Sequence, residues 1–272
     1  MKRTLQGPRI ITLATDFGWA DAYVGSMKGV ILSVAPSAVL VDITHDIPPH
    51  HVLYGAFVLR EACPRYPLHT IHVAVVDPGV GGTRRPILLR LDTHLYVGPD
   101  NGLFSLLLRD FRMMGAWELN NPEYFLTALS STFHGRDLFA PVAGHLATGV
   151  PPDAMGSAIT DPVILPFPDP GVGPDQLSGE VLLIDRFGNC ISNITHSAFH
   201  DWARGRPFEI RMRDISLERL VPSYDSVDAG EFLALFNGLG YLEIARNQAR
   251  TDQGLKVQVG EKIVVYARKS YS

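Results

Sequence analysis

The residues that could do chemistry begin with an acid at the end of an apolar run. Residues 70–76 are strand-like, and Asp77 and Pro78 follow at once. Proline has no N–H for a strand ladder, so the strand ends there. Three glycines and then Arg84 and Arg85 come next. A carboxylate delivered into a glycine turn beside a guanidinium is typical of α/β enzyme sites. The alternative is a plain turn with surface arginines. A phosphate loop is disfavoured, since its lysine and following helix are absent.

The elements before Asp77 alternate between strand and helix patterns. Apolar spacing predicts strands at 9–14, 38–43 and 70–76, with helices at 22–35 and 51–62. This β-α-β-α-β order is typical of a parallel sheet covered by helices. Each strand is followed within a few residues by an aspartate, so we expect one crevice lined by Asp16, Asp46 and Asp77.

The chain changes character after a proline-rich stretch at residues 161–176. Before it, a hairpin at 86–97 and helices at 103–108 and 138–148 are predicted. After it come only short strand candidates separated by turns, among them residues 256–259, and no long helical period. We therefore predict an α/β N-terminal domain with a mostly parallel central sheet over 1–168, a linker over 169–177, and a smaller all-β antiparallel barrel over 178–272.

Further polar loops offer candidate ligand-binding groups. Asp16, with Asp21 nearby, could accept hydrogen bonds from a ribose diol, or could simply cap the next helix. His134 lies between Phe133 and Gly135 in a polar loop, where it could be catalytic or a capping surface histidine. The segment 185–189, Asp-Arg-Phe-Gly-Asn, is either a hairpin turn or a ligand contact.

A second cluster resembles a metal site. His45, Asp46 and His50 fall within six residues, and such side chains are common ligands. The prolines between them force an extended path, which disfavours one shared metal. A metal-dependent hydrolase built on these residues stays open as an alternative.

Overall totals limit the partners. The chain has 272 residues, 46% of them hydrophobic, a formal net charge of -4 and two cysteines without metal-type spacing. No block of basic residues indicates nucleic acid or an anionic membrane as partner. The first 16 residues lack the apolar core of a signal peptide, and no run is long enough to span a bilayer. We expect a cytoplasmic protein with reduced thiols.

Six motifs together resemble one family, the S-adenosyl-L-methionine (SAM) hydrolases, also called hydroxide adenosyltransferases and homologous to the bacterial 5′-fluorinase and 5′-chlorinase. They occur in order along nearly the whole chain: T-D-F-G at 15–18, D-I-T-H at 42–45, V-V-D-P-G-V-G at 75–81, G-P-D-N-G at 98–102, S-T-F-H-G-R-D at 131–137 and D-R-F-G-N at 185–189.

The resemblance implies an α/β domain, a β-barrel domain and a homotrimer with SAM bound between subunits. It implies no cofactor and no metal. The family's catalytic residues fall on Asp77, Arg84 and His134. The implied substrate contacts are Asp16, Asp21, His50, Phe133, Asp185, Asn189 and Asn247.

The resemblance also implies a reaction, which is attack of water on C5′ of SAM to give adenosine and L-methionine. Asp77 and His134 would hold the water, and Arg84 would orient Asp77. The related halogenases lack an acid at position 77 and a histidine at position 134. Two alternatives stay open, a SAM- or adenosine-binding sensor with little turnover and a halogenase-like substitution enzyme.

Overall fold

A computed structural model describes residues 8–252 and 255–268. The first seven residues of the segment expected to lack a signal peptide, and the last four of the predicted barrel domain, lie outside the described residues. The chain divides into two compact units, with the boundary between Pro166 and Phe167. No described helix is long and apolar enough to cross a membrane.

The first unit contains a sheet of seven strands among its described residues. These strands are β1 (Ile10–Thr15), β2 (Val39–Thr44), β3 (Ile71–Val75), β4 (Pro86–Leu91), β5 (His94–Pro99), β6 (Met113–Leu119) and β7 (Gly156–Ala158). Its helices are α1 (Tyr23–Val34), α2 (Val52–Ala62), α3 (Ser105–Asp110) and α4 (Ala140–Ala147).

The prediction of a mostly parallel sheet is wrong. The strand order is β2-β1-β3-β5-β4-β6-β7. Pairing is parallel from β2 to β5 but antiparallel from β5 to β7. The sheet is mixed because the β4–β5 hairpin reverses the chain direction and β6, which the sequence pattern did not indicate, continues the antiparallel half.

Helices cover both faces of this sheet. Along β3, Val73 and Val75 are buried on the face that packs against α1 and α4. Ala74 and Val76 are buried on the other face, against α2 and α3. Side chains alternate between faces along a strand, so a continuous apolar run is what a sheet covered on both sides requires. The buried run ends at the carboxyl end of β3, and it therefore holds the following Asp77 in place.

The second unit contains an antiparallel, nearly closed, barrel-like sheet of eight strands among its described residues. They are β8 (Gly171–Val172), β9 (Gln176–Ile184), β10 (Cys190–Thr195), β11 (Phe208–Met212), β12 (Ile215–Leu217), β13 (Phe232–Phe236), β14 (Tyr241–Arg246) and β15 (Lys262–Ala267). The order is β12-β11-β15-β9-β10-β14-β13, with β8 paired to β9.

Two local predictions in this unit fail. Residues 256–259 form no strand: Lys256 and Val259 lie in turns, and Lys256 has a φ of 50°. A helix, α5 (His196–Ala203), interrupts the strands, and the Thr195 side chain caps it by accepting the Ala198 N–H at 3.1 Å. Both cysteines are buried and free, and burial raises the pKa of the Cys190 thiol to about 12.

Candidate functional site

Asp77 and Arg84 form a buried ion pair at the carboxyl end of β3. The Arg84 Nε donates to both carboxylate oxygens of Asp77, at 3.0 and 2.9 Å, and a terminal nitrogen donates to Oδ2 as well. The two side chains are only 9% and 4% exposed, for Arg84 and Asp77 respectively. A guanidinium held against a carboxylate in this way fixes the direction of its remaining donors.

The glycine turn between these residues brings Arg84 back to Asp77. The Val80 N–H donates to the Asp77 carbonyl, and Gly82 to Gly79, so the chain reverses within this turn. Gly81 has a φ of 73°, and a Cβ there would lie 2.0 Å from the Ser131 carbonyl oxygen. Only glycine permits both this conformation and this approach. The turn therefore also seats the loop that carries His134.

His134 accepts a hydrogen bond from the same guanidinium. An Arg84 terminal nitrogen lies 2.8 Å from His134 Nδ1. Guanidinium has no lone pair to offer, so Nδ1 must be the acceptor and the imidazole proton is on Nε2. Burial, and then the Arg84 charge, lower the pKa of His134 below its usual value. The imidazole is therefore a neutral donor through Nε2 at neutral pH.

The loop before His134 is organised by Asp137, which sequence reasoning missed. Asp137 is fully buried. It accepts from the Ser130 N–H at 2.8 Å and pairs with Arg136. Residues 135–139 form a π-helical turn directly after His134, and such turns are frequent at functional sites. The only sequence signal for Asp137 was its place in the motif at residues 131–137, because an acidic residue at the start of a helix usually has only a capping role.

Asp16 follows β1, the strand next to β3. Its Oδ2 accepts the His50 N–H at 2.9 Å. His50 holds a positive φ of 67°, which L side chains rarely adopt. The His50 side chain is exposed, and within the described residues no hydrogen bond reaches the second Asp16 carboxylate oxygen. Asp21 is exposed beyond the same strand.

Phe133 connects the loop after β1 to the His134 loop. Its ring packs against Tyr23 at 5.1 Å and Phe17 at 5.9 Å, measured between centroids. Since Phe17 directly follows Asp16, the carboxyl ends of β1 and β3 and the His134 loop surround one region. Thus the structure groups Asp16, His50 and Phe133 around the side that carries Asp77, Arg84 and His134.

The residues of the suspected metal cluster do not converge. Both ring nitrogens of His45 are occupied, by Thr15 at 2.8 Å and Asp42 at 3.0 Å. Asp46 and His50 are exposed. Within residues 8–252 and 255–268, no group of three His, Cys, Asp or Glu side chains is arranged to hold a metal ion.

The second unit contains a cavity of about 610 Å³. Asp185 shapes its rim: one carboxylate oxygen accepts the Phe187 and Asn189 N–H groups, and the other accepts the Asn189 amide at 3.0 Å. Phe187 is 73% exposed. The lining is aromatic, amide and charged: Asp185, Arg186, Phe187, Asn189, Tyr224, Arg246, Gln248, Ala249 and Arg250.

Asn247 lies beside this cavity but does not line it. Its side chain donates to the Val227 carbonyl at 2.8 Å, which secures the loop before β13. Two lining or supporting groups had no sequence signal, Tyr224 and the buried Glu243, whose oxygen accepts the Tyr224 hydroxyl at 2.7 Å. Burial is the main cause that raises the pKa of Glu243, and the nearby Asp185 charge adds to it.

Comparison with known proteins agrees with this two-unit arrangement. Residues 11–156 match the model of the SAM hydroxide adenosyltransferase N-terminal domain, and residues 179–264 match that of the C-terminal domain. A solved structure described as an uncharacterized conserved protein from Thermotoga maritima is similar with a TM-score of 0.87 and 34% identity, over 94% of this chain and 99% of that one.

Several named relatives are similar over nearly their full length. The (R)-S-adenosyl-L-methionine hydrolase of Salinispora arenicola is 38% identical, over 94% of this chain and 97% of its own. That of Thermus thermophilus is 37% identical, over 91% and 96%. A fluorinase of Nocardia brasiliensis is 29% identical, over 96% and 98%. With both domain models matched in order, the chain belongs to the SAM hydroxide adenosyltransferase family.

Proposed function

We propose that this protein hydrolyses SAM to adenosine and L-methionine. Relatives bearing the hydrolase name are 33–38% identical to it over most of the chain. The observation that carries the proposal is the Arg84 guanidinium hydrogen-bonded to both Asp77 and His134. A protein that only binds a nucleoside has no need of an oriented acid and imidazole held together in this way.

The reaction asks little of the leaving group. Methionine departs from the sulfonium as a neutral thioether, so neither a general acid nor a Lewis acid is needed. The O–C5′ bond forms from a water lone pair, the C5′–S bond breaks with its electrons going to sulfur, and the water proton is transferred. The protein must therefore place the water in line behind C5′ and accept that proton.

Asp77 and His134 have complementary roles toward that water. Asp77 keeps lone pairs beyond those used by Arg84, since each carboxylate oxygen has two, and it accepts the proton. His134, neutral with its proton on Nε2, donates to the water oxygen. One water lone pair is then engaged and the other points at C5′. Arg84 fixes the relative orientation of both groups.

The substrate contacts follow from the same assignment. Asp16 binds the ribose diol with the carboxylate oxygen that His50 does not hold, while His50 and Phe133 pack on the nucleoside. In the proposed trimer, the second-unit cavity of a neighbouring subunit takes the rest of SAM. Asp185, Asn189 and Asn247, with Asp21 from the first unit, are assigned to the adenine and methionine ends.

The stereochemistry of the substrate is a further part of the proposal. The similar hydrolases are named for the (R) form of SAM, and we extend that preference to this chain. A mixture of the two sulfonium epimers should lose the (R) form first, as followed by chiral chromatography. Equal loss of both epimers would contradict this part only.

Asp77 also argues against the halogenase alternative. A halide about 4 Å from a carboxylate is repelled by roughly 4 kcal/mol at an effective dielectric near 20. Arg84 offsets part of this, so the figure is an upper bound. Water carries no charge and avoids the repulsion. With SAM and molar chloride we expect adenosine and no 5′-chloro-5′-deoxyadenosine, and the chlorinated product would overturn the assignment.

The sensor alternative is separated by turnover. Purified protein at micromolar concentration should release adenosine and methionine in equal amounts over many turnovers. Asp77→Ala should lower kcat at least about hundredfold, because positioned acid–base groups contribute 10²–10⁴-fold, while adenosine is still bound. Tight binding of SAM with less than one turnover would favour the sensor.

Three properties complete the proposal. We assign a homotrimer with sites between subunits, a cytoplasmic location and a reaction without cofactor or metal. Light scattering on the purified protein should give three times the 29.9 kDa chain mass, and fractionation of the source cells tests the location. Dialysis against a chelator should leave kcat unchanged. Loss of activity restored by a divalent cation would contradict the metal-free mechanism.

A further inference from the structure

A chain of hydrogen-bonded polar side chains lies directly behind Asp16, and it runs from two buried residues to two partly exposed ones. Thr15 Oγ1 is 2.8 Å from His45 Nδ1, His45 Nε2 is 3.0 Å from Asp42 Oδ1, and Lys28 Nζ is 2.6 Å from Asp42 Oδ2. Thr15 and His45 are both 0% exposed. The chain joins α1, β2 and the end of β1, and none of its members belongs to the Asp77–Arg84–His134 set.

Its hydrogen bonds have a defined direction. The Asp42 carboxylate has no proton, so His45 Nε2 must donate to it. In the neutral imidazole Nδ1 is then an acceptor, and the Thr15 hydroxyl donates to it. The same hydroxyl oxygen accepts the Phe17 N–H at 3.2 Å. Thr15 is thereby fixed from both sides, and Asp16 is the residue between the two fixed groups.

The backbone of the Asp16 loop is tied to the same segment. The Gly18 N–H donates to the His45 carbonyl at 2.8 Å, and the Ile47 N–H donates to the Thr15 carbonyl at 3.4 Å. The Asp16 side chain is held from the other direction by the His50 N–H. The positions of residues 15–18 therefore depend on the position of His45.

The chain has features that stability alone does not require. Removing charged and polar groups from water is costly, and apolar packing often serves a fold equally well. Yet the Trp19 ring covers His45 edge-on at 4.7 Å between centroids, and Lys28 lies 5.5 Å above that ring. A polar chain whose inner members, Thr15 and His45, are fully buried fixes one geometry, and the geometry that it fixes is that of Asp16.

We infer that His45 is a positioning residue for the substrate ribose, acting through Thr15 on Asp16, with Asp42 and Lys28 holding its tautomer. This inference rests on the proposed function, because it takes Asp16 as the ligand of the ribose diol. His45 itself contacts no substrate. Its contribution should consequently appear only for ligands that carry the diol.

The test is calorimetric binding of adenosine and of 2′,3′-dideoxyadenosine. His45→Ala should raise the Kd of adenosine about tenfold, the size of one hydrogen bond to a charged group, and leave that of the dideoxy compound unchanged. His45→Asn keeps an acceptor at the Nδ1 position and should stay within about threefold of wild type. His45→Gln, whose amide reaches only the Nε2 position, should behave like His45→Ala.

A double-mutant cycle isolates the route. In an Asp16→Ala background, His45→Ala should produce no further loss of adenosine affinity. For each variant, the Kd values of adenosine and of 2′,3′-dideoxyadenosine are measured on the same protein sample, so an effect of partial unfolding cancels in their ratio. An equal loss for both ligands, or additive losses in the cycle, would overturn the inference.

Failure of the proposed function gives a different pattern. Absence of adenosine formation from SAM, with the ligand ratio and the cycle as expected, refutes hydrolysis and leaves the positioning role standing. Normal hydrolysis with an unchanged ratio in His45→Ala refutes only the positioning role. Wild type that binds neither ligand would refute it as well, since the diol site would not exist.

Discussion

His134 should tolerate glutamine better than asparagine. The asparagine oxygen replaces Nδ1 and keeps the Arg84 contact, now 2.8 Å long, but leaves no donor for the water. The glutamine amide reaches the Nε2 position and keeps that donor. Loss of a hydrogen bond in a charged setting is about 1.5–3 kcal/mol, or roughly 10- to 100-fold. We expect kcat to fall about tenfold in His134→Gln and about hundredfold in His134→Asn.

The assay is the initial rate of adenosine formation at saturating SAM. His145→Gln is the matched control, because His145 is also partly buried with a pKa lowered by burial but lies on α4. It should keep wild-type kcat. If both His134 variants lose more than about 10⁴-fold equally, the imidazole is the base and the donor role is refuted.

The pH profile gives an independent check on the same reasoning. Because the pKa of His134 is lowered from 6.5 by burial and by Arg84, the neutral imidazole persists as pH falls from 8 to 6.5. The imidazole step in kcat/KM should therefore appear only below pH 6.5. A step above that value which disappears in His134→Gln would contradict the neutral state assigned to this imidazole.

Three further perturbations test the scaffold of the site. Gly81→Ala should lower both Tm and kcat, since its Cβ would meet the Ser131 carbonyl. The control Gly149→Ala, at a φ of 100° with open space around it, should lower Tm alone. Equal kcat in the two variants would show that the Gly81 turn does not position the loop that carries His134. Arg84→Lys should reduce kcat about hundredfold with little change in KM, because one ammonium lacks the fork that reaches two partners; an unchanged kcat would show that charge alone suffices. Burial, and then the charge of a neighbouring histidine, lower the pKa of His72 to about 3. Between pH 6.5 and 3 the unfolded chain therefore binds a proton that the folded chain does not, and the free energy of unfolding should fall by about 1.4 kcal/mol for each pH unit of acidification. His72→Leu should flatten this slope, and an unaltered slope would show that other groups cause it.

Local patterns predicted much of the first unit. The order β1-α1-β2-α2-β3 could be predicted from apolar spacing, because each of these elements packs its apolar face against elements that are close to it in the sequence. The antiparallel β4–β5 hairpin was predicted as well. The pairing of β4 with β6 was not, since it joins segments that are distant in the chain. The β6 sequence, Met-Met-Gly-Ala-Trp-Glu-Leu, lacks clean alternation, so neither its presence nor its antiparallel direction could be inferred.

The candidate site was predictable to a similar extent. The Asp77–Arg84 pair could be inferred because a glycine turn closes within seven residues. The roles of Asp137 and His45 could not be inferred, because Asp137 looks like an ordinary helix cap and His45 like a metal ligand until their hydrogen-bond partners are known. The three-dimensional fold gives both of them internal hydrogen bonds, and their side chains therefore order loops instead of contacting solvent.

The central claim is that water attacks C5′ of SAM, and one measurement tests it directly. The protein is incubated with SAM in water enriched in oxygen-18, and the adenosine and methionine are quantified by mass spectrometry. We predict equimolar products with one heavy oxygen in adenosine, at the 5′ position, and none in methionine. Unlabelled adenosine, or label recovered in the methionine fragment, would contradict the account.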